Sequence, residues 1–303
     1  MILLTGATGF LGKRVAKKLE ARGLVFHSTS LSMGTDLRDF SAVQKLFKEV
    51  KPEKVINCAA YVGGIQFGYK HPAELFRNNL LMTINLLEAC RAFSVQRLVN
   101  PISNCAYPAR ATFFKEDEFW EGELHESVMV YGHARKTSWV GAWAYEKQYG
   151  LDSLNLILSN MYGPEDHFEE ERSHALGALI MKIVKAKREN LPEVIVWGSG
   201  KPVREWLYVD DGAEAMVRGL DAPHSEQPVN IGVGKGISII DMAKLIQEDV
   251  GYTGELKLDP TKPDGAPYKT VDGSRGAELL GWRPEKNFRA GIRETVQWYL
   301  ENC

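Results

Sequence analysis

Two groups of residues in this 303-residue chain have types and spacings that suit chemistry. Tyr131 and Arg135 stand four apart at the start of a helical pattern, on one face, and Ser103 follows a strand-like run upstream. A phenol of lowered pKa can give or take a proton at a carbonyl while a serine hydroxyl holds the same oxygen. A cation one turn along would stabilise the phenolate and reach a nicotinamide ribose. The second group is Gly6-Ala7-Thr8-Gly9-Phe10-Leu11-Gly12, placed between the first apolar run and the first amphipathic stretch. Its glycines permit a tight turn, close approach of backbone to a pyrophosphate and tight helix–strand packing, while the following helix start favours negative charge.

The end of the second strand bears on which dinucleotide is bound. A carboxylate there would accept a ribose 2′-hydroxyl, but this chain reads His27-Ser28-Thr29-Ser30. With nothing to repel a 2′-phosphate and Arg14 nearby in sequence, NADP is the expected cofactor; an NAD enzyme with a poorly discriminating pocket is the alternative. Asp36 and Leu37 suit the adenine edge.

These residues need a scaffold, and the hydrophobic pattern supplies one. Apolar runs at 2–5, 24–28, 54–58, 97–100 and 153–158 alternate with helical stretches near 10–22, 40–50, 72–92 and 129–149. Strands separated by helices of this length predict right-handed crossovers and a Rossmann-type doubly wound parallel sheet. Beyond the Gly163-Pro164 turn the order changes. A helix near 174–188, strands at 194–197 and 229–234, a helix opened by residues 206–211, and helices near 238–250 and 288–301 predict a smaller mixed α/β lobe. The expected division is 1–163 and 164–303, with residues 204–235 rejoining the first part. The site belongs between the two, outside the carboxyl ends of the strands.

The chain also carries GATGFLG, AAYVGGI, HPAELFRNN, SNCAYP, YGHAR, NMYGPEDHF, SHALGALI, VWGSGKPVREWLYVDD and KPDGAPYK, in that order and over nearly its whole length. In these segments it resembles the GDP-fucose synthases, extended short-chain dehydrogenase/reductases with GDP-4-keto-6-deoxymannose 3,5-epimerase/4-reductase activity. The resemblance implies a GDP-sugar substrate, reduction at Ser103 and Tyr131, and an epimerising acid/base pair in Cys105 and His174. It implies cofactor contacts from the Gly-rich turn, Ser28, Asp36, Leu37, Ala59, Ala60, Val62, Ile102, Tyr131, Arg135, Leu158, Met161 and His174. It assigns Asn160, Lys182, Trp197, Arg204, Asp264 and Lys269 to the nucleotide-sugar. By residue type alone, Cys105 reads as a small buried side chain, and His174 reads equally as a locally bonded helix start; the alternative to a binding role is a solvent-facing side chain for Lys182 and a core one for Trp197. The run Glu169-Glu170-Glu171 reads as a solvated loop face.

One position departs from the family pattern, which has lysine where this chain has Arg135. Lys136 cannot substitute, since one residue rotates a helical side chain by about 100°. Arg135 keeps the charge, but its planar fork is not equivalent to an ammonium bridging two ribose hydroxyls. Three explanations stand: weakened reduction, specialisation toward epimerisation, or an inactivating change. A plain 4-ketoreductase and a non-catalytic nucleotide-sugar-binding protein are the competing functions.

Bulk composition narrows the partners. The 37 basic residues against 39 acidic ones give no electrostatic case for nucleic acid or an anionic membrane. No membrane span is expected, nor any metal site, since the four cysteines lack metal-type spacing. Free thiols suit a cytoplasmic protein. The resemblance implies a homodimer formed through the helices starting near 72 and 129, for which Trp139 and Trp143 on the second supply either an apolar interface or ordinary core.

Overall fold

The computed structural model describes residues 1–169, 173–262, 264 and 267–303. In chain order the elements begin β1 (Ile2–Thr5), α1 (Phe10–Ala21), β2 (Phe26–Thr29), α2 (Phe40–Val50), β3 (Lys54–Asn57), α3 (Ile65–Lys70), α4 (Pro72–Ala92) and β4 (Arg97–Ser103). They continue with β5 (Phe113–Phe114), α5 (Met129–Tyr149), β6 (Ser153–Leu158), β7 (Asn160–Tyr162), α6 (Ala175–Arg188), β8 (Glu193–Trp197), β9 (Val203–Tyr208) and α7 (Val209–Arg218). The last are β10 (Val229–Ile231), β11 (Gly236–Ser238), α8 (Ile239–Val250), β12 (Glu255–Asp259), β13 (Tyr268–Val271), α9 (Ser274–Leu280) and α10 (Phe288–Asn302).

The large sheet is parallel throughout, in the order β10-β6-β4-β3-β1-β2. Both faces are covered, so the inner strands β1, β3, β4 and β6 are buried almost throughout rather than on alternate residues, whereas the edge strand β2 is partly exposed. On one face Leu11, Val15 and Leu19 of α1, spaced one turn apart, pack with Ala213 and Met216 of α7 against Leu4, Ile56, Val99 and Leu156. On the other, Val43 and Phe47 of α2, Leu86 of α4 and Ala142 of α5 meet Leu3, Val55 and Leu98. The strand order reverses beside β1, where the chain first goes outward to β2 and then returns to β3. In open parallel sheets such a switch, at the carboxyl ends of the strands, is where ligands bind.

A second sheet, β11-β9-β13-β5 with β7 beside β9, and a parallel β8·β12 pair make up the rest. They share a core with α6, α8 and α10 through Ile180, Ile183, Trp206, Tyr208, Met242, Ile246 and Val296. The chain is stitched back to the large sheet by α7 and β10. The sequence reading extends the strand at 229–234 too far, since it ends at Ile231; it takes 206–211 as the opening of a helix, whereas residues 206–208 finish β9 and the helix starts at Val209; and it omits the short strands β5, β7, β11, β12 and β13. Among the described residues no helix is long and apolar enough to cross a membrane.

Caps fix where several helices begin and end. Asp39 accepts from Ser41 N at 2.9 Å before α2, Ser238 accepts from Asp241 N at 3.1 Å before α8, and Gly150 closes α5 at φ 73°. Trp139 on α5 is core, its indole donating to Glu226 O at 3.3 Å, whereas Trp143 one turn on is 40% exposed.

Candidate active site

The Gly-rich turn is closed to side chains. Gly6 has φ 66°, and a Cβ there would lie 2.5 Å from Ala59 N; a Cβ on Gly12 would lie 2.0 Å from Gly6 O. The first is a left-handed position that L side chains avoid, and the second is where α1 presses on the turn. Gly9 caps α1 without a side-chain acceptor, and Phe10 and the buried Leu11 follow in its first turn. Thr8 Oγ1 donates to Ser30 Oγ at 3.0 Å and lies 2.9 Å from Ser32 Oγ. A cluster of hydroxyls therefore stands just beyond β2, on which Ser28 is half-buried.

Arg14 is not free to meet a 2′-phosphate. Its guanidinium donates to Pro164 O at 2.8 Å and pairs with Glu165 at 3.2 Å. Asp36 accepts a forked bond from Arg38, at 2.8 Å from Nε and 2.7 Å from NH2, and these bonds hold its carboxyl below the usual range. Leu37 is buried with α2, and its carbonyl accepts from Asn85 Nδ2 at 2.9 Å. Ala59 N donates to Asn57 Oδ1 at 3.1 Å, while Ala60 and Val62 are exposed beyond β3. Ile102 and Leu158 lie in the core at the ends of β4 and β6, so they offer a ligand backbone only; Met161 is half-buried on β7.

Ser103 ends β4, and its Oγ accepts from Cys105 N at 3.2 Å, which turns the chain. Helix α5 sits directly on that turn, since a Cβ on Gly132 would lie 2.7 Å from Cys105 O. The seat brings Tyr131 beside Cys105. Burial pushes the phenol above its ordinary pKa; Arg135 acts in the other direction and is outweighed, and Cys105 adds a smaller upward push. The lowered phenol pKa expected from the sequence is therefore corrected: desolvation exceeds the pull of the guanidinium.

Arg135 is buried, donates to Pro101 O at 2.8 Å and lies 5.7 Å from the Tyr131 ring centre. Its Nε has no hydrogen-bond partner among the described residues. Lys136 points elsewhere, donating to Phe119 O at 2.6 Å over the Phe119 and Trp120 rings.

The second sheet adds cations. Lys269 on β13 pairs in register with Arg204 on β9, and burial lowers the pKa of both. Burial raises the Cys105 thiol, while Ser103 and the Lys269 charge act in the other direction. Arg204 itself donates to Val203 O at 2.8 Å. Ser103, Cys105, Tyr131, Lys269 and Arg204 thus form one electrostatic neighbourhood. His174 stands exposed at the start of α6, where its side chain makes no capping bond; desolvation lowers its imidazole, and the charge of His167 acts in the same direction. Glu169 is exposed, and Glu170 and Glu171 lie outside the described residues.

Trp197 is not core. It is 51% exposed, with Lys182 Nζ 4.6 Å and Lys262 Nζ 5.6 Å from its ring centre. Asp264 accepts from Ser199 N at 2.6 Å and from Ser199 Oγ at 2.7 Å, which pins it beside Gly198. Asn160 Nδ2 donates to Glu205 O at 3.2 Å. Glu205 is a residue the sequence reading passes over. Fully buried, it accepts from Val233 N at 2.7 Å, Gly234 N at 3.2 Å and Val271 N at 2.8 Å, and burial raises its pKa despite these bonds. Asn230 is a second such residue, accepting from Tyr107 Oη at 2.8 Å and donating to Phe114 O at 2.9 Å, which holds the segment after Cys105. Its only signal in the sequence is a polar residue inside an apolar strand.

Comparison with known proteins places this geometry. Residues 2–232 match the model of the NAD dependent epimerase/dehydratase family. The chain belongs to that family. The family match ends one residue after β10 and so takes in the whole large sheet. Over its full length the chain is also similar to GDP-L-fucose synthase 1 of Arabidopsis thaliana, 36% identical over 302 residues, covering 99% of this chain and 93% of that protein. Among solved structures, a GDP-6-OMe-4-keto-L-xylo-heptose reductase from C. jejuni superposes with a TM-score of 0.92 at 26% identity, covering 100% of this chain and 98% of that one. A GDP-L-fucose synthetase from Naegleria fowleri bound to NADP gives 0.91 at 30% identity, covering 99% and 92%. The family fold accounts for the strand-order switch, and the full-length relatives extend the likeness through β13, beyond the family match.

Proposed function

We propose that the chain is an NADP(H)-dependent enzyme acting on a GDP-4-keto-hexose or GDP-4-keto-heptose, with 3,5-epimerase and 4-ketoreductase activity at one site. The observation that carries this reading is the meeting of Ser103, Cys105 and Tyr131 at the junction of β4 and α5, with the Lys269 charge reaching Cys105.

The cradle fits a dinucleotide. Positions 6 and 12 admit no Cβ, and the Thr8, Ser30 and Ser32 hydroxyls can donate to a 2′-phosphate. When bound, NADPH supplies the hydride delivered to the sugar C4. The protein supplies the proton: Tyr131 gives one to the 4-keto oxygen while Ser103 Oγ holds that oxygen. The raised phenol pKa suits this role, because it keeps Tyr131 protonated and ready to donate. For epimerisation a neutral imidazole is the base and a neutral thiol the acid, and the shifts favour both forms, His174 downward and Cys105 upward. The 4-keto group acidifies C3 and C5, so a proton taken from one face returns on the other. Arg204 and Lys269 bind the diphosphate, Trp197 stacks on the base, and Lys182, Asp264 and Asn160 complete the pocket.

In this reading residues 1–163, with the returning segment 204–235, hold the cofactor, and 164–303 hold the nucleotide-sugar. The protein works in the cytoplasm as a homodimer across α4 and α5, whose Phe76, Ile84, Val140 and Trp143 are exposed; light scattering at the monomer mass would reject the dimer.

The test is turnover of GDP-4-keto sugars with NADPH in deuterated water. Deuterium at C3 or C5 that disappears in Cys105→Ser, with NADPH oxidation that disappears in Tyr131→Phe, is the expected outcome. Hydride transfer without deuterium in the wild type would make the protein a plain 4-ketoreductase. Binding without turnover would make it a nucleotide-sugar-binding protein. One observation favours weakened reduction: Arg135 gives a guanidinium donor to Pro101 O. Arg135→Lys then raises NADPH oxidation, and a decrease rejects this explanation.

A further inference from the structure

A row of polar side chains crosses the interior of the large sheet, perpendicular to its strands. Thr5 Oγ1 on β1 donates to Asn57 Oδ1 on β3 at 2.8 Å. The same oxygen accepts from Ala59 N, whose amide is the atom a Gly6 Cβ would strike. Asn57 Nδ2 donates to Asn100 Oδ1 on β4 at 3.0 Å. Asn100 Nδ2 then donates twice, to Asn155 Oδ1 on β6 at 3.1 Å and to Ser138 Oγ on α5 at 2.9 Å. Thr5, Asn57, Asn100, Asn155 and Ser138 are all buried.

Parallel strands covered on both faces are normally filled with aliphatic side chains, because an amide taken out of water is costly unless its bonds are remade. Here every amide of the row is bonded, and the row leads somewhere. One end is the amide beside the Gly-rich turn. The other is Ser138, seven residues after Tyr131 and on the same stripe of α5, since seven residues make nearly two turns. Asn100 also stands three residues before Ser103 on β4.

We infer that Asn100 and Ser138 are positioning residues, a polar seam that locks α5 to β4 and so fixes the Tyr131 phenol against Ser103 and the dinucleotide turn. This rests on the proposed reductase role of Tyr131. Gly132 of α5 packs on the Cys105 carbonyl, but Cys105 has holds of its own that do not pass through Ser138, its turn onto Ser103 Oγ and the Tyr107–Asn230 bond. The seam therefore governs proton delivery to C4 and leaves proton exchange at C3 and C5 alone.

Ser138→Ala removes the α5 end of the seam while Asn100 keeps Asn155 as acceptor, so a folded variant is expected. In Ser138→Ala, kcat for NADPH oxidation falls about tenfold, with KM and NADPH affinity little changed, because a displaced donor weakens proton transfer and not binding. Deuterium incorporation at C3 and C5 stays at the wild-type rate. A fall of both activities in proportion would mean general destabilisation and would overturn the seam, as would unchanged reduction. Hydrogen exchange of the amides around Tyr131 gives a readout independent of any sugar: it quickens about tenfold in Ser138→Ala. Failure of every 4-keto sugar to turn over, with that quickening present, would reject the reductase reading and keep the seam; unchanged exchange would reject the seam itself.

Discussion

Replacing Glu205 by glutamine tests whether one carboxylate ties the second sheet together. Oε1 accepts from Val233 N, and Oε2 accepts from both Gly234 N and Val271 N. A glutamine can keep its oxygen on the Gly234 and Val271 side, but its amide then faces the Val233 N–H, donor against donor. A rotamer change is closed, because the backbone at Gly232 packs against Oε1 so tightly that a Cβ there would lie 2.5 Å away. The loss is one charge-assisted bond, about 1.5–3 kcal/mol, and one N–H left unsatisfied, about 1–3 kcal/mol. Removing a buried charge recovers part of this, as the raised pKa of Glu205 indicates, leaving a net cost of about 2–4 kcal/mol. For a chain of this size that is a fall in Tm of roughly 3–6 °C by calorimetry. GDP affinity should fall as well, since Arg204 precedes Glu205 and Lys269 stands two residues before Val271. A variant melting within about 1 °C of wild type would refute the reasoning.

Other outcomes follow from the same coordinates. Gly12→Ala puts a methyl 2.0 Å from Gly6 O, so NADPH fluorescence titration should show binding lost, while GDP, proposed to bind at the second sheet, should still bind. Desolvation lowers the His174 imidazole from its usual 6.5, so deuterium exchange at C3 and C5 should hold its rate down through that pH and fall only in an acid limb below it, while His174→Asn, which removes the proposed base, should abolish the exchange; a limb above pH 6.5 contradicts it. Burial raises Asp166 to about 7 from 3.8, so the fold favours its protonated form. That contribution is full below pH 3.8 and lost as pH rises through 7; Asp166→Asn should therefore gain thermal stability over wild type at pH 8 but not at pH 4, and equal gains at both would discard the assignment. Asn230→Ala leaves the Tyr107 hydroxyl and Phe114 carbonyl unpaired, costing about 2–4 kcal/mol in urea unfolding and slowing C3 and C5 exchange more than reduction; slowing of reduction alone would argue against its hold on the Cys105 segment.

Much of the framework is legible in the residues. The Gly-rich turn announces itself because much of its constraint is local: Gly12 would clash with Gly6 only six positions back, and Gly6 takes a left-handed φ, although the backbone a Gly6 Cβ would strike comes from Cys58 and Ala59 far along the chain. Helix α5 is legible over 129–149 because its period is long and Gly150 stops it. The short strands β5, β7 and β11 are not, since two or three residues show no period; their pairing is decided by Phe114, Met161 and Ile237 finding neighbours far along the chain. The same limit explains Glu205, whose donors come from residues 233, 234 and 271, and Arg14, engaged by Pro164 and Glu165 some 150 positions along the chain. The phenol shift failed for another reason. Spacing announces the Arg135 charge, but the desolvation that outweighs it exists only once α5 is seated on the Cys105 turn.

The return of β10 to the large sheet also sets a timetable for the nascent chain. Strands β1 to β6 emerge first, yet the outer edge of β6 cannot be capped until Val229–Ile231 are made. Meanwhile Leu156, Ile157 and Leu158 present an unpaired, apolar rim, a template for pairing with another chain. Between them lie β7, β8, β9 and both α6 and α7, so the second sheet starts to assemble before the first is sealed. Slow synthesis or crowding would be most dangerous in that interval, and a nascent chain paused before residue 229 is the form most in need of a chaperone.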